Sequence, residues 1–230
     1  MAKGQGLLNA FIFYGSYHAN PINQLIHVIC VPAIYTTALS FLTRLSIPLA
    51  VPVAARGLLR LLGETSTTSV SAALPAALLY AGYYLSLTVQ QRPLLGSSAA
   101  ALAVGALPLS HYTLSLGPQA MPITIGVHVA TWLAQFYGHG VHEGRSPALL
   151  DNLWRECGLE GRGRGGARSA ASQLTISLTY HPHAHCAEAL VMAPLFVYIE
   201  SLMYLGFLKD FKAEVEPHIN KAVEDFRKKK

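Results

Sequence analysis

Two short stretches of the chain place metal-competent and hydrogen-bonding side chains among apolar ones. In "YHANPINQLIH", residues 17–27, His18 comes just before Asn20–Pro21, and Asn23 and His27 follow. Asn20 before Pro21 predicts a helix start, because the asparagine side chain accepts from the first free amides and proline loses nothing at the first helical position. Asn23 and His27, four residues apart, then share one face of that helix. His18 reaches the same face only if the incoming chain folds back toward it. In "QFYGHGVHE", residues 135–143, Gln135, His139 and Glu143 recur at a spacing of four and predict one stripe on a second helix. Imidazole nitrogen with carboxylate oxygen suits Fe(II) or Zn(II). The same His and Glu would serve equally as a structural hydrogen-bonding pair.

The other histidines carry weaker signals. His142 lies about 100° off the stripe, at its rim. His128 and His111 sit inside apolar runs, where an imidazole ordinarily satisfies a neighbouring backbone or side chain. His181, His183 and His185 in "HPHAHC" could take up a metal adventitiously, but their glycine-, arginine- and serine-rich surroundings predict a loop. Gly138 and Gly140 flank His139 and suit close helix packing.

The elements that must position these residues are membrane-type. The chain has 230 residues, 52% hydrophobic and 13% charged, against about 25% charged in an ordinary soluble domain. From Thr65 to Gly138 the one formally charged side chain is Arg92, an interval sufficient for about three spans of roughly 20 residues. The expected fold is all-α, a multi-span integral membrane helical bundle forming a single membrane domain over residues 1–230. Spans are expected at 22–43, 70–89, 95–116, 119–139 and 187–208. Segment 45–62 is apolar but carries Arg56 and Arg60 beside Pro48 and Pro52, which predicts an interfacial or re-entrant piece.

Residues 155–186 read as a flexible inserted loop and 209–230 as a polar, basic C-terminal tail on a surface helix. Lysine and arginine crowd both the 145–168 loop and the tail, so both belong on one side of the membrane. One span at 187–208 cannot satisfy that: either this segment, with Pro194 and Glu200, dips in and returns as a hairpin, the favoured reading, or the loop's five arginines, matched by Glu and Asp, do not set the topology. The first apolar run lacks a basic leader and a small-residue cleavage site, so no cleaved signal peptide is expected. Cys30, Cys157 and Cys186 form no CxxC pattern and are expected as packing residues in a reducing compartment. The net charge of +5 resides mostly in ends and loops, which suits an anionic membrane surface; no nucleic-acid motif is present.

Three ordered motifs over residues 11–37, 132–154 and 187–208 are similar to those of the fungal 2-hydroxy fatty acid dioxygenases of the endoplasmic reticulum, the Mpo-like family, and their bacterial relatives. They are the "YHANPINQLIH" stretch, "QFYGHGVHEGRSPALLDNL" and "ALVMAPLFVYIESLMYLGF". The 155–186 stretch resembles an insertion relative to that family, so its HxHxH run inherits no role. The resemblance implies a multi-pass endoplasmic reticulum enzyme of fatty acid α-oxidation and phytosphingosine degradation. Such an enzyme uses Fe(II) and O2 to shorten a long-chain 2-hydroxy fatty acid by one carbon. His18, His27, His139 and Glu143 stand at positions shared with the family motifs and are expected at the iron, with Asn20, Asn23 and Gln135 orienting them. Arg145 or Arg92 is expected either to pair with the substrate carboxylate or to anchor at the interface. Two readings compete: a zinc hydrolase acting on lipids, which also needs three ligands and an open water position, and a non-enzymatic lipid-binding scaffold. The multiple HxxHH boxes of desaturases are absent from the sequence.

Overall fold

The computed structural model describes residues 5–89, 92–147 and 183–228. Its central element, α2 (Pro21–Leu42), begins as expected: Asn20 is extended and its side chain accepts from the amides of Ile22 and Asn23. Before it lies a helix that hydropathy did not reveal, α1 (Gln5–Ser16). At 12 residues it is too short to register as a span, and it buries Leu7, Phe11 and Tyr14 along one face.

After α2, strand β1 (Ser46–Pro48), helix α3 (Val53–Leu61) and strand β2 (Ser69–Ser71) form a small cap, with Ile47 opposite Val70 in an antiparallel ribbon. Segment 45–62 therefore does not cross. Helices α4 (Ala73–Thr88), α5 (Pro93–Ser115) and α6 (Ala120–Tyr137) follow. Small residues let α4 and α5 close on each other: Ala77, Ala99 and Ala103 are buried, and a Cβ on Gly96 would collide with the Thr88 hydroxyl. Tyr35 bonds the Ala103 carbonyl and Ser40 meets Thr113, so α2 and α5 run in the same direction. Helix α6 returns against them, with His128 beside Thr37 and Gly138 beside Asn23.

The five expected spans need correction. Among the described residues, α2 and α5 are the two helices long and apolar enough to cross a membrane, and a bent C-terminal pair would make a third. Helix α4 has 16 residues, short of the roughly 20 that a bilayer core requires; α6 is continuous over 18 residues, but His128 and Gln135 break its apolar run. Outward-facing Leu25, Ile29, Leu79, Leu102, Ile123 and Leu133 nonetheless give the bundle an apolar exterior.

The bent pair comprises α7 (His183–Tyr204) and α8 (Lys209–Arg227). Residues 190–204 of α7 and the whole of α8 meet at 113°. Two positive φ angles make the corner, 83° at Gly206 and 54° at Leu208; the second is strained for a residue with a Cβ. Helix α8 then buries Phe211 and Val215 in the core shared by α1, α4, α5 and α7. Arg145 lies over the Phe226 ring, 4.3 Å from its centroid, so the arginine-bearing loop and the C-terminal helix begin and end on one side of the bundle. Of the loop expected at 155–186, residues 155–182 lie outside the described residues, and the last four open α7 as helix.

Candidate metal centre

The second polar stretch does not keep the regular helical stripe that its spacing predicted. Helix α6 stops at Tyr137 and the backbone widens into a π-helical segment, Gly138–Glu143, closed by left-handed Gly144. Such widenings often sit at functional sites because they re-aim side chains. Here His139 turns inward and Glu143 is directed elsewhere. Gly138 makes the approach feasible, since a Cβ there would run into the Asn23 side chain on α2.

Three buried imidazoles meet at this point: His18 from the turn before α2, His27 from α2, and His139 from the π-helical segment. Their ring centroids are 4.4, 4.8 and 4.9 Å apart, and one nitrogen from each lies within 4.8 Å of the others. His18 Nδ1 is 2.8 Å from the Tyr14 carbonyl oxygen, and His27 Nδ1 is 2.9 Å from that of Asn23. A carbonyl oxygen only accepts, so each Nδ1 carries the proton and each Nε2 presents its lone pair. His139 Nδ1 is buried without a hydrogen-bond partner among the described residues. Burial, and then the neighbouring His27 and His139, hold His18 well below the ordinary imidazole range, in the neutral form a metal needs. This donor set fits a divalent transition metal.

Glu143 does not join the three imidazoles. Its Oε1 accepts from the Ala19 amide at 3.0 Å, and its Oε2 from the Asn20 amide at 3.0 Å and Asn23 Nδ2 at 3.2 Å. A carboxylate is favoured there by the free amides at the start of α2. Asn20 completes the brace, since its Nδ2 donates to the His142 carbonyl at 3.0 Å while its Oδ1 caps the helix. Glu143, Asn20 and Asn23 thus lock the π-helical segment to the turn bearing His18. Gln135 is buried on α6, with its Nε2 unpartnered among the described residues.

Of the remaining histidines, His128 is satisfied by Thr37 and by Trp132, and His111 faces Glu64 at 3.4 Å. His181 lies outside the described residues. Arg145 donates to the Ser16 carbonyl and lies over Tyr17 at 3.3 Å, while Arg92 stacks on Phe211 at 4.9 Å. Both arginines act as anchors between elements.

Sequence reasoning missed a second network behind His18. Glu200 on α7 is buried and accepts from the Tyr14 hydroxyl and from Gln24 Nε2, each at 3.2 Å. Gln24 Nε2 also donates to the His18 carbonyl at 2.7 Å, and its Oε1 accepts from Tyr204. The Tyr14 ring stacks on His18 at 3.9 Å. The available signal was a lone carboxylate in an apolar run; Tyr14 and Gln24 gave none.

Helices with an apolar exterior around three convergent imidazoles define a helical membrane protein with a metal-competent histidine centre. Residues 5–158 match the family described as 2-hydroxy-palmitic acid dioxygenase Mpo1-like, and the chain belongs to that family. It is 28% identical over 216 residues to the 2-hydroxy-palmitic acid dioxygenase MPO1 of Saccharomyces cerevisiae, covering 93% of this chain and 91% of that relative. No solved structure matches.

Proposed function

We propose that the protein is an Fe(II)-dependent dioxygenase of the endoplasmic reticulum membrane that shortens long-chain 2-hydroxy fatty acids by one carbon, as a step in phytosphingosine degradation. The observation that carries the reading is the set of three buried imidazoles, His18, His27 and His139, each brought by a different element. The family and the name of the yeast relative supply the substrate class. His18, His27 and His139 would hold the iron, and Glu143, Asn20, Asn23 and Gln135 would keep them in place. When bound, ferrous iron supplies the redox chemistry that dioxygen activation requires.

The reaction balances without a second organic acid. A 2-hydroxy acid plus O2 gives the acid one carbon shorter, CO2 and water, so the substrate provides all the electrons and 2-oxoglutarate has no part. The chain's own contribution is to keep the ligating nitrogens unprotonated, to exclude water by burial, and to orient the polar head. Exposed Leu25, Ile29 and Leu133 belong to the apolar exterior along which an acyl chain would lie. Each methylene moved from water contributes about 0.8 kcal/mol.

The test is metal analysis of the purified protein together with product analysis on 2-hydroxypalmitate under oxygen. Iron with release of CO2 and the shortened acid supports the reading. Zinc with hydrolysis of a lipid ester would replace it with the hydrolase alternative, because three histidines and an open position also serve a zinc-bound water. Neither metal nor turnover would leave a lipid-binding scaffold.

A further inference from the structure

The end of α2 remote from the histidines carries a feature that the dioxygenase reading does not use. Across residues 43–72 the ionisable side chains are Arg44, Arg56, Arg60 and Glu64. Glu64 is buried and taken up by the amide and hydroxyl of Ser71, with His111 beside it. Arg44 donates to the Leu114 carbonyl. Arg56 and Arg60, one turn apart on α3, line a shallow surface cleft, too tight to enclose a ligand, together with Leu59, Glu64, Thr65, Ser66 and Thr67. Arg56 Nε donates to the Val51 carbonyl at 3.4 Å, which keeps that side chain at the edge of the cleft.

Helix α3 buries none of its residues. Its outer face instead exposes Val53, Leu58 and Leu61 at 75, 65 and 75%. Leu59 packs on the core of the bundle, but the helix gains nothing there from its outer face. Laid along the boundary of a bilayer, it would bury that face while the arginines reach up to the headgroups.

We propose that α3 and the cleft beside it form a binding site for an anionic phospholipid of the surrounding leaflet. The phosphate would lie at the surface, over the mouth of the cleft between Arg56 and Arg60, and the acyl chains along Val53, Leu58 and Leu61. The positive charge selects the anion, and the apolar face adjoining the cleft selects a lipid over free phosphate. Glu64 also lines the cleft, with its oxygens taken up by the amide and hydroxyl of Ser71 and facing His111.

The experiment uses the full chain reconstituted in phosphatidylcholine vesicles with trace spin-labelled phosphatidylserine or phosphatidylcholine, reading the fraction of label immobilised by the protein. The wild type is expected to select the serine lipid, by roughly fivefold for each arginine engaged. Arg56→Gln with Arg60→Gln should bring the two lipids close to parity, and Arg56→Lys with Arg60→Lys should retain most of the selection. Arg60→Gln alone, at an exposed side chain that perturbs folding little, should lose roughly fivefold. Excess inorganic phosphate should leave the label bound. No preference in the wild type, an undiminished preference in the glutamine variants, or displacement by phosphate would overturn the proposal. Because no arm reads turnover, the outcome is independent of the proposed activity.

Discussion

The Tyr14 and Asn23 carbonyls can only accept, which fixes the tautomer of two of the three imidazoles and leaves their Nε2 lone pairs available to a metal. His27→Ala or His139→Ala should therefore reduce bound iron and turnover to background while the protein still inserts in the membrane. Iron retained with full turnover in either variant would remove the site. Glu143 makes a different prediction, since it contacts amides of the His18 turn and of α2 and none of the imidazoles. In Glu143→Gln one acceptor oxygen becomes a donor facing other donors, a mismatch of roughly 1–3 kcal/mol. Iron affinity should fall about 10–100-fold with measurable activity remaining at saturating iron. Complete loss at any iron concentration would make Glu143 a ligand in its own right.

At the level of elements, the centre depends on how closely the π-helical segment approaches α2. Gly138→Ala places a methyl group against Asn23 and Ile26 and should cost about 1–3 kcal/mol, read as a lowered thermal midpoint in detergent. Asn20→Ala removes both the cap of α2 and the bond to the His142 carbonyl; the cap alone is worth about 1 kcal/mol. A midpoint unchanged in both variants would show that this contact does not hold the bundle together. By contrast, replacing His181, His183 and His185 together by Ala should leave bound iron intact, because the three assembled histidines already supply a donor set.

For the whole molecule, the contact of Arg145 with Phe226 puts the loop after α6 and the end of α8 on the same side. Glycosylation acceptor sites placed in the 155–182 stretch and after Lys230 should therefore behave alike, both modified or both unmodified; opposite results would break the hairpin formed by α7 and α8. The substrate prediction also belongs to this scale. A 2-hydroxy fatty acid should turn over with Fe(II) and O2, be blocked by a strong iron chelator, and proceed without 2-oxoglutarate. The unsubstituted acid of equal length should bind and remain unchanged, and equal turnover of the two acids would refute the mechanism.

Composition and hydropathy by themselves determined an all-α membrane bundle. Local chemistry determined the start of α2, because capping by Asn20 and Pro21 needs only neighbouring residues. Motif order pointed to the family, and the resemblance brought with it His18, His27, His139 and Glu143 as expected ligands. What the sequence could not determine was anything that depends on a partner distant along the chain. A regular period of 3.6 residues put His139 and Glu143 on one stripe, whereas packing of Gly138 on Asn23 accompanies a widened segment in which the two side chains part. Helix α1 lacked the length to stand out by hydropathy, and the Glu200 network exists only because α7 folds back beside α1 and α2. The tertiary structure decided these points, since the free energy that selects a π-turn, a buried carboxylate or a hairpin comes from contacts between segments and not from any single one.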